Sequence, residues 1–186
     1  MNIRPAIVLS TVTTTVSALL IVAHNLTYVD NSGIITPKLE EKCISLMGEG
    51  NYSIVSDWIS AGYAIDKPDS ISKLILKDDG SIAFEIIADG YNKGGLDLLI
   101  SMNTDGSIKG VEVVSVTETP GLGTNVNNVG FLSLFAGISD NAVIVKKSPT
   151  SDNEVEAVTG ATYSSKGVAS AVNTAISVYK EMGSEN

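Results

Sequence analysis

The sequence predicts an α+β protein: an N-terminal transmembrane helix, then one domain in which a twisted antiparallel sheet is packed by helices. Three observations carry this. From Pro5 to Val29 there is no Asp, Glu, Lys or Arg. Between residues 71 and 116 two pairs of apolar, β-rich segments are each joined through Asp-Gly. Near the C-terminus Val168, Ala171, Val172, Ala175, Ile176 and Tyr179 recur at helical spacing. The boundaries follow: residues 1–29 as cytoplasmic tip and anchor, residues 30–186 as one domain, since a chain of 186 residues suits a single modest domain plus an appendage.

Composition removes several function classes. Lys and Arg number 12 against 21 Asp and Glu, and no basic cluster occurs, so nucleic acid is not an expected partner. Cys43 is the one cysteine and His24 the one histidine. No intramolecular disulfide and no Cys/His zinc site can be built from them. A Ser-His-Asp or Cys-His pair away from residue 24 is excluded too.

The uncharged run, PAIVLSTVTTTVSALLIVAHNLTYV, has 25 residues; a helix needs roughly 20 mostly apolar residues to span a bilayer. Its Ser and Thr hydroxyls can bond back to the preceding helical turn. A cleaved signal peptide is the rival reading. No small-residue cleavage motif follows, and the run is long for a signal core, so a retained anchor is expected. Arg4 precedes the run and Asp30 follows it. The positive-inside rule then places the N-terminus in the cytoplasm and residues 30–186 outside the cell membrane, on a single-pass chain. That outer part carries 11 Lys against 21 acidic residues, a net charge of −10, which chiefly favours solubility. His24 falls at the outer end of the anchor and is read as interfacial, not as a ligand.

Thr36-Pro37 reads as an N-cap followed by Pro in the first turn, with Glu40 and Glu41 at the positive end of the helix dipole. Leu39, Cys43, Ile44 and Met47 form its apolar face, and Gly48 and Gly50 end it. Strands are predicted over 71–77, 81–88, 96–102 and 108–116. Asp79-Gly80 and Asp105-Gly106 are the hairpin turns, because Gly accepts the positive φ a tight turn needs. Asp-Gly-Ser-Ile recurs at both turns, which shared hairpin chemistry explains more simply than duplication. Gly90-Tyr91-Asn92-Lys93-Gly94-Gly95 is too rich in glycine for a strand interior. Residues 118–123 form a loop, 131–136 a short helix, 142–145 and 155–158 short strands. The last helix is expected to start near Ser164 or Ser165, both good caps.

Two segments carry chemistry. In residues 156–165 an apolar strand end runs into Thr159-Gly160-Ala161-Thr162 and then a helix start. Small residues let another molecule approach the backbone, and the helix start offers free N–H groups to a phosphate. An ordinary capped strand-to-helix turn has the same composition, so the residues alone leave both readings open. Glu118-Thr119-Pro120-Gly121-Leu122-Gly123 is likewise either a flat ligand-facing loop or a Pro-Gly turn.

Thr159-Gly160-Ala161-Thr162 resembles the S/T-G-A-T motif of FMN-binding domains in which the last Thr carries flavin as a phosphodiester. Glu156 stands where that family has Asp, which keeps the carboxylate one methylene further out. Residues 118–123 resemble the family's E-T-P-G-L-G loop. With the single anchor and the Gly-Tyr-x-x-Gly-Gly segment, essentially the whole chain is similar to RnfG, the flavin-carrying G component of the Rnf complex. The resemblance implies covalent FMN on Thr162, loaded by an ApbE-type flavin transferase. It further implies an electron-relay role within a membrane-bound, ion-translocating ferredoxin:NAD oxidoreductase whose other membrane subunits are the partners. No independent catalytic site is then needed on this chain, because the flavin carries the redox chemistry. Thr159, Gly160, Ala161, Ser164 and Ser165 would surround the attachment point. Pro120, Gly121 and Gly123 would lie against the ring, Leu122 would pack on it and Thr119 would bond its polar edge. Glu118 would cap backbone groups, since a carboxylate beside a reduced flavin is unfavourable. Two alternatives remain at this stage: the related NqrC component of sodium-pumping NADH:quinone oxidoreductase, and an anchored, non-redox binding module.

Overall fold

A computed structural model describes residues 4–27, 33–145 and 147–183. The chain divides into two units, Met1–Asn31 and Ser32–Asn186. In the first, α1 (Arg4–Thr27) is long and apolar enough to cross a membrane. Its hydroxyls do bond back: Thr11 Oγ1 donates to Ile7 O at 2.8 Å, Thr14 Oγ1 to Ser10 O at 2.8 Å and Thr15 Oγ1 to Thr11 O at 2.8 Å. This satisfies the hydroxyls inside the helix and leaves an apolar exterior. Tyr28, Val29 and Asp30, which end the uncharged run and supply its outer charge, lie outside the described residues.

The second unit is built on an antiparallel meander, β1 (Tyr52–Val55), β2 (Lys73–Lys77), β3 (Ile82–Ala88), β4 (Leu96–Met102) and β5 (Ile108–Val116), hydrogen-bonded in that order. α2 (Pro37–Met47) starts as its sequence predicts: Pro37 opens it, Thr36 Oγ1 accepts the Leu39 N–H at 3.3 Å and Gly48 ends it at φ +81°. Leu39, Cys43 and Met47 bury against Ile75, Ala83, Leu99 and Val114 on one sheet face. Burial and the neighbouring acids Glu85 and Glu40 push the Cys43 thiol up to about 11. Cys43 is therefore an inert packing residue. α4 (Thr162–Met182) lays Val168, Ala171, Val172, Ala175 and Ile176 into the larger cluster with Phe84, Ile86, Leu98 and Ile100. Successive strand residues point to opposite faces, so β4 sends Leu98 and Ile100 into one cluster and Leu99 into the other. Burial on both sides explains why that strand reads as an almost unbroken apolar run.

The repeated Asp-Gly-Ser-Ile has one structural meaning. Gly80 at φ +85° and Gly106 at φ +82° close the two turns. Asp79 Oδ1 accepts the Ser81 N–H at 2.9 Å, and Asp105 Oδ1 accepts the Ser107 N–H at 2.9 Å. A carboxylate, a left-handed position and a serine N–H are what this hairpin needs.

Four expectations change. β2 starts at Lys73, not at 71, because Ile71 turns inward as a fully buried loop residue whose N–H bonds Pro68 O at 3.0 Å. β1, too short for a clear alternation, was not predicted. It pairs with β2, and the following loop sends Trp58 into the core, 6.2 Å from Phe84 between ring centroids. The short strands β6 (Val143–Val145) and β7 (Glu154–Glu156) pair with each other in parallel, apart from the main sheet. The predicted helix at 131–136 is α3 (Val129–Leu132) followed by one 3-10 turn over Ser133–Phe135.

Candidate functional site

Antiparallel pairing brings the end of β3, the start of β4 and the end of β5 to one edge of the sheet. Two loops therefore meet there, 89–95 between β3 and β4 and 117–123 after β5. The N-terminus of α4 joins them through one side chain, the buried Glu118. Glu118 Oε1 accepts the Asn92 N–H at 3.0 Å. Its Oε2 accepts the Tyr91 N–H at 3.1 Å and the Ser164 hydroxyl at 2.8 Å. A buried carboxylate without a cation is tolerated when several donors converge on it. Glu118 thus caps backbone groups, cross-linking three segments far apart in sequence.

The glycines around it are spatial requirements. A Cβ on Gly90 would stand 2.6 Å from Glu118 Oε1, and one on Gly123 would stand 2.7 Å from Ser164 Oγ. A Cβ on Gly95 would collide with the same carboxylate.

Two turns of one type form the walls. In Thr119–Leu122 the Leu122 N–H bonds Thr119 O at 3.1 Å, with Pro120 second and Gly121 third at φ +75°. In Val158–Ala161 the Ala161 N–H bonds Val158 O at 2.9 Å, with Gly160 third at φ +78°. Positive φ at the third position alone is the type II pattern. The turns lie side by side: a Cβ on Gly160 would be 3.3 Å from Leu122 Cδ2.

α4 begins at Thr162, with Ala161 at the cap position and no side-chain cap. This corrects the expectation that Ser164 or Ser165 caps the helix. Both serines lie inside its first turn, buried and committed to internal bonds. Ser164 is spoken for by Glu118. Ser165 Oγ accepts the Val158 N–H at 3.1 Å and donates to Ala161 O at 2.9 Å. Ser165 therefore braces the turn; Thr159 is exposed, with no side-chain hydrogen bond among the described residues. The N–H groups of Thr162, Tyr163 and Ser164 have no intrahelical acceptor, the first turn carries no acidic residue, and the helix has 21 residues. That is a suitable end for an anion.

The result is a pocket of about 430 Å³. Thr119, Leu122 and Gly123 line it from one loop, and Gly160, Ala161, Thr162, Tyr163 and Ser164 from the turn and helix, with Tyr91 completing the rim. Glu118 stands behind this lining; Thr159 and Ser165 are not part of it. Tyr91 and Tyr163 were not named as site residues, although Tyr91 lies within the Gly-Tyr-x-x-Gly-Gly segment and Tyr163 directly follows Thr162. A more open groove of about 670 Å³ runs between β6 and α4 past Lys166, Ser170 and Asn173. It holds none of the motif residues, so the smaller pocket is the candidate site. Among the described residues no group of three or more His, Cys, Asp or Glu is placed to hold a metal. The pocket fits a flat cofactor bearing a phosphate: glycine-lined walls, an uncapped helix start, and the Thr162 hydroxyl at that start.

Residues 90–177 match the FMN-binding domain family, a span that includes all three converging segments. The G subunit of the Na+-translocating ferredoxin:NAD+ oxidoreductase complex of Acetobacterium woodii is 28% identical over 130 residues, covering 67% of this chain and 63% of that protein. The G subunit of the proton-translocating ferredoxin:NAD+ oxidoreductase complex of Clostridium ljungdahlii is 34% identical over 101 residues, 54% of this chain and 55% of that protein. The chain therefore spans between about half and two thirds of the length of these curated relatives. The crystal structure of the C subunit of the Na+-translocating NADH-quinone reductase from Parabacteroides distasonis superposes with a TM-score of 0.51 at 21% identity, over 86% of this chain and 87% of that one. This last likeness is one of fold. Over residues 90–177 the chain is similar to FMN-binding domains, and it is similar to the G subunits of ion-translocating ferredoxin:NAD+ oxidoreductase complexes.

Proposed function

We propose that this chain is the electron-relay G subunit of a membrane-bound ferredoxin:NAD oxidoreductase, and that it carries FMN as a phosphodiester on Thr162 Oγ1. The observation that carries the reading is the uncapped start of α4. Thr162 is its first residue, lines the pocket, and lies beside first-turn N–H groups that can hold the diester's remaining charge. FMN, when bound, supplies the one-electron chemistry. The chain's own residues do the rest. Gly160 and Gly121 keep two turn backbones bare of side chains, Leu122 offers an apolar contact, and Thr119 offers a hydroxyl at the rim. Glu118 holds the loops in register without itself lining the pocket.

In this reading α1 is the anchor, residues 1–29 hold the cytoplasmic tip and span, and residues 30–186 lie outside the cytoplasm. The other membrane subunits of the complex are the partners. An ApbE-type flavin transferase loads the cofactor, and covalent attachment removes the loss of a dissociable flavin to a dilute medium. Glu156 ends β7, exposed and six residues ahead of Thr162, where a transferase can reach it. Peptide mass spectrometry of the native complex tests the assignment: the peptide containing Thr162 should carry the FMN mass, and Thr162→Val should abolish it. An unmodified Thr162 in active complex refutes it.

A further inference from the structure

A phosphodiester prevents flavin from leaving but does not orient its ring, because the diester and the ribityl chain retain many rotatable bonds. Something else on the chain must narrow the ring's freedom. Tyr91 and Tyr163 are placed for this. Both line the pocket, yet they are 72% and 70% exposed. Their rings meet edge to face, with centroids 6.4 Å apart and an interplanar angle of 72°. Neither hydroxyl has a hydrogen bond among the described residues. One exposed tyrosine is ordinary; two in contact on the wall of one pocket are an uncovered aromatic surface. Their spacing is set by the fold: Glu118 Oε2 takes both the Tyr91 N–H and the hydroxyl of Ser164, the neighbour of Tyr163.

We infer that Tyr91 and Tyr163 are positioning residues that form an aromatic wall for the flavin ring tethered at Thr162, shielding one side of it from water. The inference rests on the FMN reading above. A flat tricyclic ring covers exposed aromatic surface better than water does, through stacked or edge contacts. It has a spectroscopic signature that attachment alone lacks. A phenol against a photoexcited flavin donates an electron and takes it back in the dark, with no net oxidation, so the flavin is dim. A ring swinging free in solvent is bright and open to iodide.

The test uses the full chain purified from membranes of cells that contain the flavin transferase. Flavin content after denaturation is read first. Its absence from the wild-type chain counts against the Thr162 reading, separately from the wall. In flavin-loaded protein, Tyr163→Leu and Tyr91→Leu should each raise flavin fluorescence severalfold and increase quenching by iodide. Replacing both Tyr91 and Tyr163 by Phe keeps the wall but removes both electron donors, so it should brighten the flavin while iodide protection persists. Tyr163→Trp should restore both properties. Wild-type flavin that is already bright and iodide-accessible, or loaded Leu variants matching a dim wild type, overturns the wall.

Discussion

The back wall of the site and its rim obey opposite rules. At the inner wall and behind it Glu118, Ser164 and Ser165 are buried; Glu118 takes the Ser164 hydroxyl, and Ser165 bonds the Val158–Ala161 turn. At the rim Tyr91, Leu122 and Tyr163 are half or more exposed, and the Thr162 hydroxyl has no hydrogen bond among the described residues. Polar groups removed from water must find partners within the fold, whereas groups left at the surface can wait for a ligand. The same few residues of sequence thus divide into those that hold the domain together and those available to a cofactor.

The sharpest way to break this division is Glu118→Ala. It strands two backbone N–H groups and a serine hydroxyl in a buried space, and should cost about 3 kcal/mol or more. Denaturant unfolding of the flavin-free chain, followed by the single, buried Trp58, reads it. A loss below about 1 kcal/mol, the worth of one ordinary hydrogen bond, would show that the three segments meet without this cross-link. Gly123→Ala tests the steric side. Its Cβ would press on Ser164 Oγ and the Glu118 side chain, so about 2 kcal/mol should be lost by overpacking.

Asp97 in β4 sharpens the comparison, being a carboxylate whose partners are incomplete. Its Oδ1 is buried without a hydrogen bond among the described residues. Burial, then the nearby Glu85 carboxylate, pushes it up to about 6, against the weaker pull of Lys73, Lys38 and a bond from Ser115. Because the folded state holds this proton more tightly than the unfolded chain, the contribution to stability falls as pH rises from the ordinary Asp range through 6. Asp97→Asn should flatten that slope and raise stability at neutral pH by about 1 kcal/mol, allowing for the group's partial contact with water. An unchanged profile in unfolding experiments across this window would remove Asp97 as its source.

The smallest stability effects belong to the rim. Thr162→Val is close to isosteric at a half-exposed position and should change stability by less than about 0.5 kcal/mol, while covalent flavin disappears. A large loss of stability would place Thr162 with the structural back wall after all. Glu156→Asp should leave flavin occupancy unchanged and Glu156→Ala should lower it, as read by intact mass. Equal occupancy in all three proteins would leave Glu156 as only a strand end.

What the sequence determined by itself was whatever contiguous residues can encode. An uncharged run marks α1, Thr36-Pro37 starts α2, and Asp-Gly closes two hairpins, because a period, a cap or a positive φ needs only a few neighbours. Thr119–Leu122 and Val158–Ala161 were legible as turns for the same reason, and their motif resemblance pointed to flavin before any fold was known. The capping role of Glu118 was anticipated, but its partners were not: they lie 26, 27 and 46 residues away in sequence. No local pattern states which segments a strand order will bring together. The parallel pairing of β6 with β7, the first turn of α4 that absorbs Ser164 and Ser165, and the meeting of Tyr91 with Tyr163 were likewise decided only by tertiary structure. Burial and long-range hydrogen bonding select among turns and caps that are locally almost equivalent, and that selection requires the whole domain.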